Sequence, residues 1–181
     1  SFSLLYDFVD MFVLNISCPN VKNLAKLQDT DTLKEIIEHL LSQRLFYDTH
    51  KPILLKLSPD LDEAQVDEIV DLVLSCGLDG IVACNTTNSR DKLTTNQSVI
   101  DAIGNGGLSG APLFERTLER VKYIYEKTEG KLPIIASGGV MTPIQAQQLL
   151  EAGASLVEVY TGFIYNGPSF AKKIINHLKK C

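Results

Sequence analysis

The sequence predicts an α/β fold with a parallel β-sheet, and three observations indicate this class. Short runs of β-branched residues alternate with longer segments whose apolar residues are spaced three and four apart, as in successive βα units. The strand candidates are apolar almost throughout, which is typical of parallel strands buried on both faces. The chain has 181 residues, 45% of them apolar and 22% charged, so we expect a single domain over residues 1–181.

Five strands are predicted, each from a short apolar run. Each run is followed by polar residues or glycine, which mark its end. The predicted strands cover residues 11–16, 53–57, 80–84, 133–136 and 155–160.

Five helices are predicted from apolar stripes and from the residues that begin and end them. The first carries its stripe within residues 33–41, and the second begins near Asp62 and ends at Gly77. The third covers about residues 113–127 with Tyr125 on its inward side, and the last covers about residues 170–178 and buries Ile175 together with Ile174.

The fourth helix has the clearest boundaries. Thr142 is its predicted N-cap, Pro143 takes the first helical position, and Gly153 follows the last turn. Between the third strand and the third helix, residues 86–112 read as a long irregular segment, and loops of that length are usually binding loops or lids.

Five βα units fit two architectures, an open doubly wound sheet or part of a (β/α)8 barrel. A whole barrel takes about 250 residues. As part of a barrel, this chain would hold only the last five units and lack the N-terminal strands, which leaves an open sheet edge. We expect the isolated chain to self-associate through that edge.

Charge and composition exclude several other classes. The net charge is −5 and the lysines are scattered, so no nucleic-acid partner is expected. The four cysteines and three histidines show no metal-ligand spacing, and no metal site is expected. No apolar stretch approaches the roughly 18 residues that span a bilayer, so we expect the chain itself to be soluble.

Polar residues cluster at the strand ends, and this regularity points to a functional site. In parallel α/β folds the carboxyl ends of the strands meet on one side, where the active site lies. In strand order these ends are residues 15–20, Lys56, residues 85–87, residues 137–139 and residues 160–162.

Two of these ends, SGG at residues 137–139 and YTG at residues 160–162, predict a phosphate site. Barrels commonly bind phosphate after their last two strands, where glycine lets backbone N–H groups approach the oxygens. The alternative is that the glycines only form tight βα turns.

Lys56 is a charged residue inside an apolar strand, which predicts an anionic or electron-rich ligand because an unpaired buried ammonium is costly. The alternative is an ion pair with a buried carboxylate. The ligand is favoured because no carboxylate is expected at a matching strand end.

Cys18 shares its turn with Asn15 and Asn20, whose amides could orient a planar polar ligand. Pro19 holds the backbone of Cys18 extended and so fixes the direction of the thiol. A thiol serves as a proton acceptor or as a nucleophile, and the base role is favoured because no histidine is well placed to activate it.

Six motifs in order, LNISCPN, KPILLKLSPDL, DGIVACNTT, GGLSGAPL, PIIASGGV and AGASLVEVYTG, resemble the dihydroorotate dehydrogenase family from residue 9 to residue 180. NTTNSR and GGLSGAPL are similar to its membrane-associated, quinone-using class. The resemblance implies the C-terminal portion of an FMN-binding (β/α)8 barrel. It also implies oxidation of dihydroorotate to orotate in de novo pyrimidine biosynthesis, with a quinone as acceptor.

The resemblance also implies residue roles. Cys18 falls on the catalytic base, although the quinone class usually has serine there. The implied substrate contacts are Asn15, Asn20, Asn85 and Thr86. The implied FMN contacts are Asn15, Lys56, Cys84, Ser109, Gly110, Gly138, Gly139, Tyr160 and Thr161.

Two alternatives stay open, a related FMN barrel acting on another pyrimidine, as in dihydropyrimidine dehydrogenases, and an inactive fragment without a ligand. For the full-length protein, the resemblance implies peripheral membrane association on the cytoplasmic side.

Overall fold

A computed structural model describes residues 1–16, 30–91 and 93–180 and contains one five-stranded parallel sheet. The strands are β1 (Phe12–Asn15), β2 (Ile53–Lys56), β3 (Gly80–Ala83), β4 (Ile134–Ser137) and β5 (Leu156–Glu158). The helices are α1 (Phe2–Leu5), α2 (Thr30–Arg44), α3 (Glu63–Cys76), α4 (Gln97–Ile103), α5 (Phe114–Lys127), α6 (Pro143–Glu151), α7 (Thr161–Asn166) and α8 (Phe170–Leu178). Short 3-10 helices, Tyr6–Phe8 and Ala111–Leu113, precede β1 and α5.

The strand order decides between the two architectures that the sequence left open. The strands pair in chain order from β1 to β5, whereas a doubly wound sheet reverses its order at a switch point. Helices α2, α3, α5, α6 and α8 also share one apolar core with a single face of the sheet, where Leu55, Ile81 and Ile134 are fully buried. Sequential strands with helices on one face are the arrangement of a barrel wall.

The opposite face of the sheet carries a second, smaller apolar cluster of Leu54, Val82 and Ile135. Because side chains alternate along a strand, Lys56 lies on this same face, two residues after Leu54. In the register of the sheet, Lys56 pairs with Asn15 on one side and with Val82 on the other. Lys56, the last residue of β2, therefore places its charge on this face at the carboxyl ends of the strands.

The two outer strands differ from the prediction that all five are buried on both faces. The prediction holds for β2, β3 and β4, but Val13 of β1 is exposed and Leu156 of β5 is 58% exposed. Among the described residues no further strand pairs with the outer edge of β1 or β5. Within the described ranges, one side of each outer strand consequently has no neighbouring strand.

Helix boundaries follow the expected caps. Asp62 and Gln65 form a capping box at the start of α3, and Gly77 ends that helix in the left-handed conformation. Thr142 and Gln145 form the same motif at the start of α6. Within the described ranges, no helix is both long and apolar enough to cross a membrane.

Some local predictions are wrong. Residues 86–112 are not irregular throughout, because they contain α4 and the start of the 3-10 helix Ala111–Leu113. Tyr125, predicted to point inward, is exposed instead. Its ring packs against the backbone of Gly153, where a Cβ atom would lie only 2.2 Å from the ring. Ile175 is also exposed, because neighbouring helical residues point in different directions and Ile174 takes the inward one.

Candidate active site

A cavity of about 460 Å³ opens at the carboxyl ends of β2 to β5. Its volume is in the range of small-molecule sites. Its lining is Lys56, Cys84, Asn85, Thr86, Ser109, Gly110, Leu113, Ser137, Gly138, Gly139, Val140, Glu158, Val159, Tyr160, Thr161 and Gly162.

Most of the predicted site residues meet in this cavity. They come from four strand ends and from the segment between α4 and α5, so residues more than 100 positions apart, such as Lys56 and Thr161, face one space. Asn15 lies at the end of β1 beside Lys56 but does not line the cavity. Cys18 and Asn20 lie outside the described residues.

A glycine cradle, defined here as Gly110, Gly138 and Gly139, forms one wall of the cavity. A Cβ atom on Gly139 would lie 2.3 Å from the backbone nitrogen of Phe114, and one on Gly110 would lie 2.9 Å from the Thr161 side chain. All three glycines have positive φ angles, which other residues rarely adopt. The chain therefore approaches the first turn of α5 more closely than any side chain allows.

Hydroxyl groups surround this cradle. Thr161 donates a hydrogen bond of 3.0 Å to the hydroxyl of Ser109 at the rim. Below Gly138, Thr117 is fully buried, and its hydroxyl has no hydrogen-bond partner among the described residues. Exposed backbone N–H groups and hydroxyls are donors that bind a phosphate well.

Lys56 forms an ion pair with Glu158, which corrects the prediction that no carboxylate reaches it. Its Nζ lies 3.6 Å from Oε2 of Glu158, and the side chains are 21% and 40% exposed. Glu158 ends β5 and lines the same cavity. The alternative, an ion pair, is therefore present, although Glu158 is only partly buried. The ligand at Lys56 stays a prediction, because the ammonium still borders the cavity.

Sequence reasoning missed Glu158 as a site residue. The signal was present, because Glu158 interrupts the apolar run LVEV in the way that Lys56 interrupts ILLK. Two opposite charges at the ends of two apolar strands of one sheet predict a pair, if the strands are known to approach each other.

Cys84 is 1% exposed and lines the cavity. Burial in apolar surroundings raises the pKa of its thiol to about 12, and the nearby positive charges of Arg120, Arg116 and Lys56 only partly oppose this. The thiol is therefore protonated at neutral pH and is unsuited to act as a nucleophile.

The residues present fit a phosphorylated aromatic cofactor. The cradle brings bare backbone to the cavity wall, Lys56 adds a charged group to the lining, and Cys84 and Leu113 add apolar contact. Among the described residues, no group of three histidine, cysteine or acidic side chains could hold a metal ion.

Taken together, sequential βα units and a cavity at the carboxyl ends of their strands define a barrel-type ligand-binding protein. The protein-family model for dihydroorotate dehydrogenase matches residues 1–181. The chain belongs to the dihydroorotate dehydrogenase family.

Curated relatives of this chain carry the name dihydroorotate dehydrogenase (quinone). The protein of Trichodesmium erythraeum is 43% identical over 186 residues, which cover 99% of this chain and 48% of the relative. The protein of Christiangramia forsetii is 43% identical over 175 residues, covering 96% and 50%. The chain thus spans about half the length of the curated relatives it matches.

Solved structures agree with the sequence relatives. The ligand-free dihydroorotate dehydrogenase of Eimeria tenella superimposes with a TM-score of 0.88 at 35% identity, over 96% of this chain and 52% of that one. The same enzyme in complex with ferulenol gives a TM-score of 0.86 at 36% identity, over 94% and 49%. These matches confirm the predicted α/β class with part of a barrel, and they favour the dihydroorotate family over a dihydropyrimidine dehydrogenase-like one.

Proposed function

We propose that this chain provides the FMN-binding part of a dihydroorotate dehydrogenase, which oxidises dihydroorotate to orotate in pyrimidine biosynthesis and passes the electrons to a quinone. One observation carries the proposal: all the residues that the family resemblance assigns to FMN, except Asn15, lie together around one cavity, although they are far apart in sequence. The names of the relatives, dihydroorotate dehydrogenase (quinone), support the substrate and the acceptor.

In this proposal the glycine cradle and Thr161 bind the phosphate of FMN through backbone N–H groups and a hydroxyl. Ser109 and Tyr160 line the same cavity as the cradle and contact the ribityl chain. Bound FMN supplies the chemistry of the site by accepting a hydride from the substrate.

Lys56 places a positive charge beside the flavin ring, where it stabilises negative charge, and Cys84 packs against the ring as a neutral thiol. Because Glu158 already pairs with Lys56, an anionic group in the cavity competes with this carboxylate for the ammonium. Glu158 therefore limits how strongly Lys56 attracts an anion.

The substrate contacts complete the proposal. Asn85 and Thr86 line the cavity at the end of β3, and Asn15 ends β1 on the same side of the sheet. We assign these residues and Asn20 to the binding of dihydroorotate. Cys18 is assigned as the base that removes a proton from the substrate.

The first experiment is a titration of the purified chain with FMN, followed by quenching of flavin fluorescence. We expect a dissociation constant in the micromolar range and at least tenfold weaker binding of riboflavin, which lacks the phosphate. Equal binding of both flavins would contradict the phosphate cradle. Absence of any binding would support the alternative that the chain alone is an inactive fragment.

A second experiment tests the substrate. Anaerobic addition of dihydroorotate to flavin-loaded protein should bleach the flavin absorbance near 450 nm, whereas dihydrouracil should not. The opposite pattern would favour the dihydropyrimidine alternative.

Association of two copies through the sheet edges is the remaining part of the proposal. The outer edges of β1 and β5 carry exposed apolar side chains, Val13 and Leu156, and unpaired strand edges attract other strands. Sedimentation velocity should show dimers or larger species that grow with protein concentration. Peripheral attachment to the cytoplasmic side of a membrane is proposed only for the whole protein.

A further inference from the structure

The segment between β3 and α5 lines the cavity with residues from both of its ends. Thr86 and Ser109 both face the cavity. Next to them, Thr87 and Leu108 form an antiparallel bridge, with N···O distances of 3.1 and 2.7 Å. The positions of Thr86 and Ser109 therefore depend on where this bridge is held.

The bridge is held by a carboxylate from another part of the fold. Asp60, between β2 and α3, accepts a hydrogen bond from the Thr87 hydroxyl and one of 2.8 Å from the backbone N–H of Asn88. The Asp60 carboxylate also accepts a hydrogen bond of 2.8 Å from Arg116 of α5. One side chain thus joins the β2 end, the start of the segment and α5.

Burial makes these contacts matter. Thr87 is 5% exposed, so its hydroxyl needs a partner, and the side chain of Asp60 is only 30% exposed. Charge-assisted hydrogen bonds to a partly buried carboxylate are stronger than neutral ones. The segment also has a second, separate tie, from Arg90 to the carbonyl of Gly106, so its overall course does not depend on Asp60 alone.

We propose that Asp60 is a positioning residue of the cavity, acting through Thr87 to fix the places of Thr86 and Ser109. Asp60 itself does not line the cavity. The ligand part of this inference rests on the proposed function, whereas the part about the segment does not.

The test uses Asp60→Asn and Thr87→Val, with Asp62→Asn as the matched control. Asp62 is two positions away and caps α3, a role that asparagine performs equally well. Thr87→Val removes the hydroxyl but keeps the backbone bridge to Leu108. All variants are measured by hydrogen exchange with mass spectrometry and by titration with FMN.

We expect Asp60→Asn to speed amide exchange within residues 86–110 at least fivefold, with exchange in α6 unchanged. FMN should bind about tenfold more weakly, and Asp62→Asn should change neither quantity. Because Asp60 and Thr87 share one hydrogen bond, the effects of the two substitutions should not be additive: Thr87→Val should weaken binding less in the Asp60→Asn background than in the parent.

Two results would overturn the inference: exchange in residues 86–110 within twofold of the parent for Asp60→Asn, or full additivity of the two substitutions. If the parent chain binds no FMN, the proposed function fails, but the exchange measurement still decides whether Asp60 holds the segment. If Asp60→Asn does not fold, as judged by circular dichroism, Thr87→Val alone decides in the same way.

Discussion

Replacing Gly139 with alanine should damage both the stability of the chain and the phosphate cradle. The new Cβ atom would lie 2.3 Å from the nitrogen and 2.5 Å from the Cα of Phe114. Phe114 is 5% exposed and begins α5, so it has little room to move. The turn after β4 must therefore shift away from the helix.

The magnitude follows from two contributions. Alanine in the left-handed conformation costs about 1–2 kcal/mol, and forcing an extra methyl group into a packed site costs about 1–3 kcal/mol. Together they predict a loss of about 2–5 kcal/mol in the free energy of unfolding.

The chain offers a matched control in Gly77, which has nearly the same φ angle, +74° against +76° for Gly139. Nothing lies within 4 Å of a Cβ atom at Gly77, so Gly77→Ala has the conformational cost without the clash. Gly167 also has open surroundings, but its ψ of −178° differs from the 38° of Gly77, so Gly167→Ala serves as a control for FMN binding and not for stability.

Urea unfolding followed by circular dichroism at 222 nm measures the three variants. We expect Gly139→Ala to be less stable than Gly77→Ala by at least about 1 kcal/mol. We also expect it to bind FMN at least tenfold more weakly, while the two controls bind normally. If Gly139→Ala and Gly77→Ala lose equal stability, the close approach to α5 does not constrain position 139 and the cradle argument fails.

Three further predictions concern charged and thiol groups. The Asp79 side chain is 22% exposed, and this partial burial opposes its ionisation, but hydrogen bonds from the Ile53 N–H, His50 and Arg44 outweigh burial and lower the pKa of its carboxyl. Asp79→Asn should cost about 2 kcal/mol at pH 7, because bonds to charged groups contribute about 1.5–3 kcal/mol. Since the pKa of Asp79 is lowered in the folded state, the loss in free energy of unfolding relative to the parent is complete above about pH 4 and disappears at lower pH. Urea unfolding at several pH values measures this loss, and a loss unchanged at pH 2 would refute the reasoning. The Cys84 thiol, with a pKa of about 12, should not react with a thiol reagent at pH 8, so Cys84→Ser should leave the count of rapidly reacting thiols unchanged, and a lower count would contradict its burial. Glu158→Gln removes the carboxylate that pairs with Lys56. Since partly exposed ion pairs contribute up to about 1 kcal/mol, FMN should bind about fivefold more tightly to this variant. Unchanged affinity would mean that Glu158 does not limit the attraction of Lys56 for an anion.

Much of the fold could be predicted because local signals and the tertiary structure agree. The ends of the strands lie within two residues of the predicted ends. Asp62 and Thr142 cap α3 and α6, at the helix starts that the sequence predicts. Helix α4 could not be predicted, because none of its residues is buried and it therefore has no apolar stripe in the sequence.

The gathering of cavity residues could also be predicted, because parallel strands end on one side whatever their detailed packing. The pairing of Lys56 with Glu158 could not, since it depends on the three-dimensional relation of β2 and β5 rather than on either strand alone. The contacts of Asp60 have the same character: Thr87 and Arg116 lie 27 and 56 positions away in sequence. Only the assembled structure shows such contacts.

The Lys56–Glu158 pair also shows that the sheet is strongly curved. Strands β2 and β5 are separated by β3 and β4, so a flat sheet would place them about 14 Å apart, at about 4.8 Å for each of three spacings. Side chains that stand perpendicular to such a sheet would not meet, yet these two charges are 3.6 Å apart. Curvature of the sheet therefore brings the ends of β2 and β5 close enough for the two charges to pair, and flattening the sheet would separate them. A spectroscopic distance between labels on β2 and β5 would report that curvature directly.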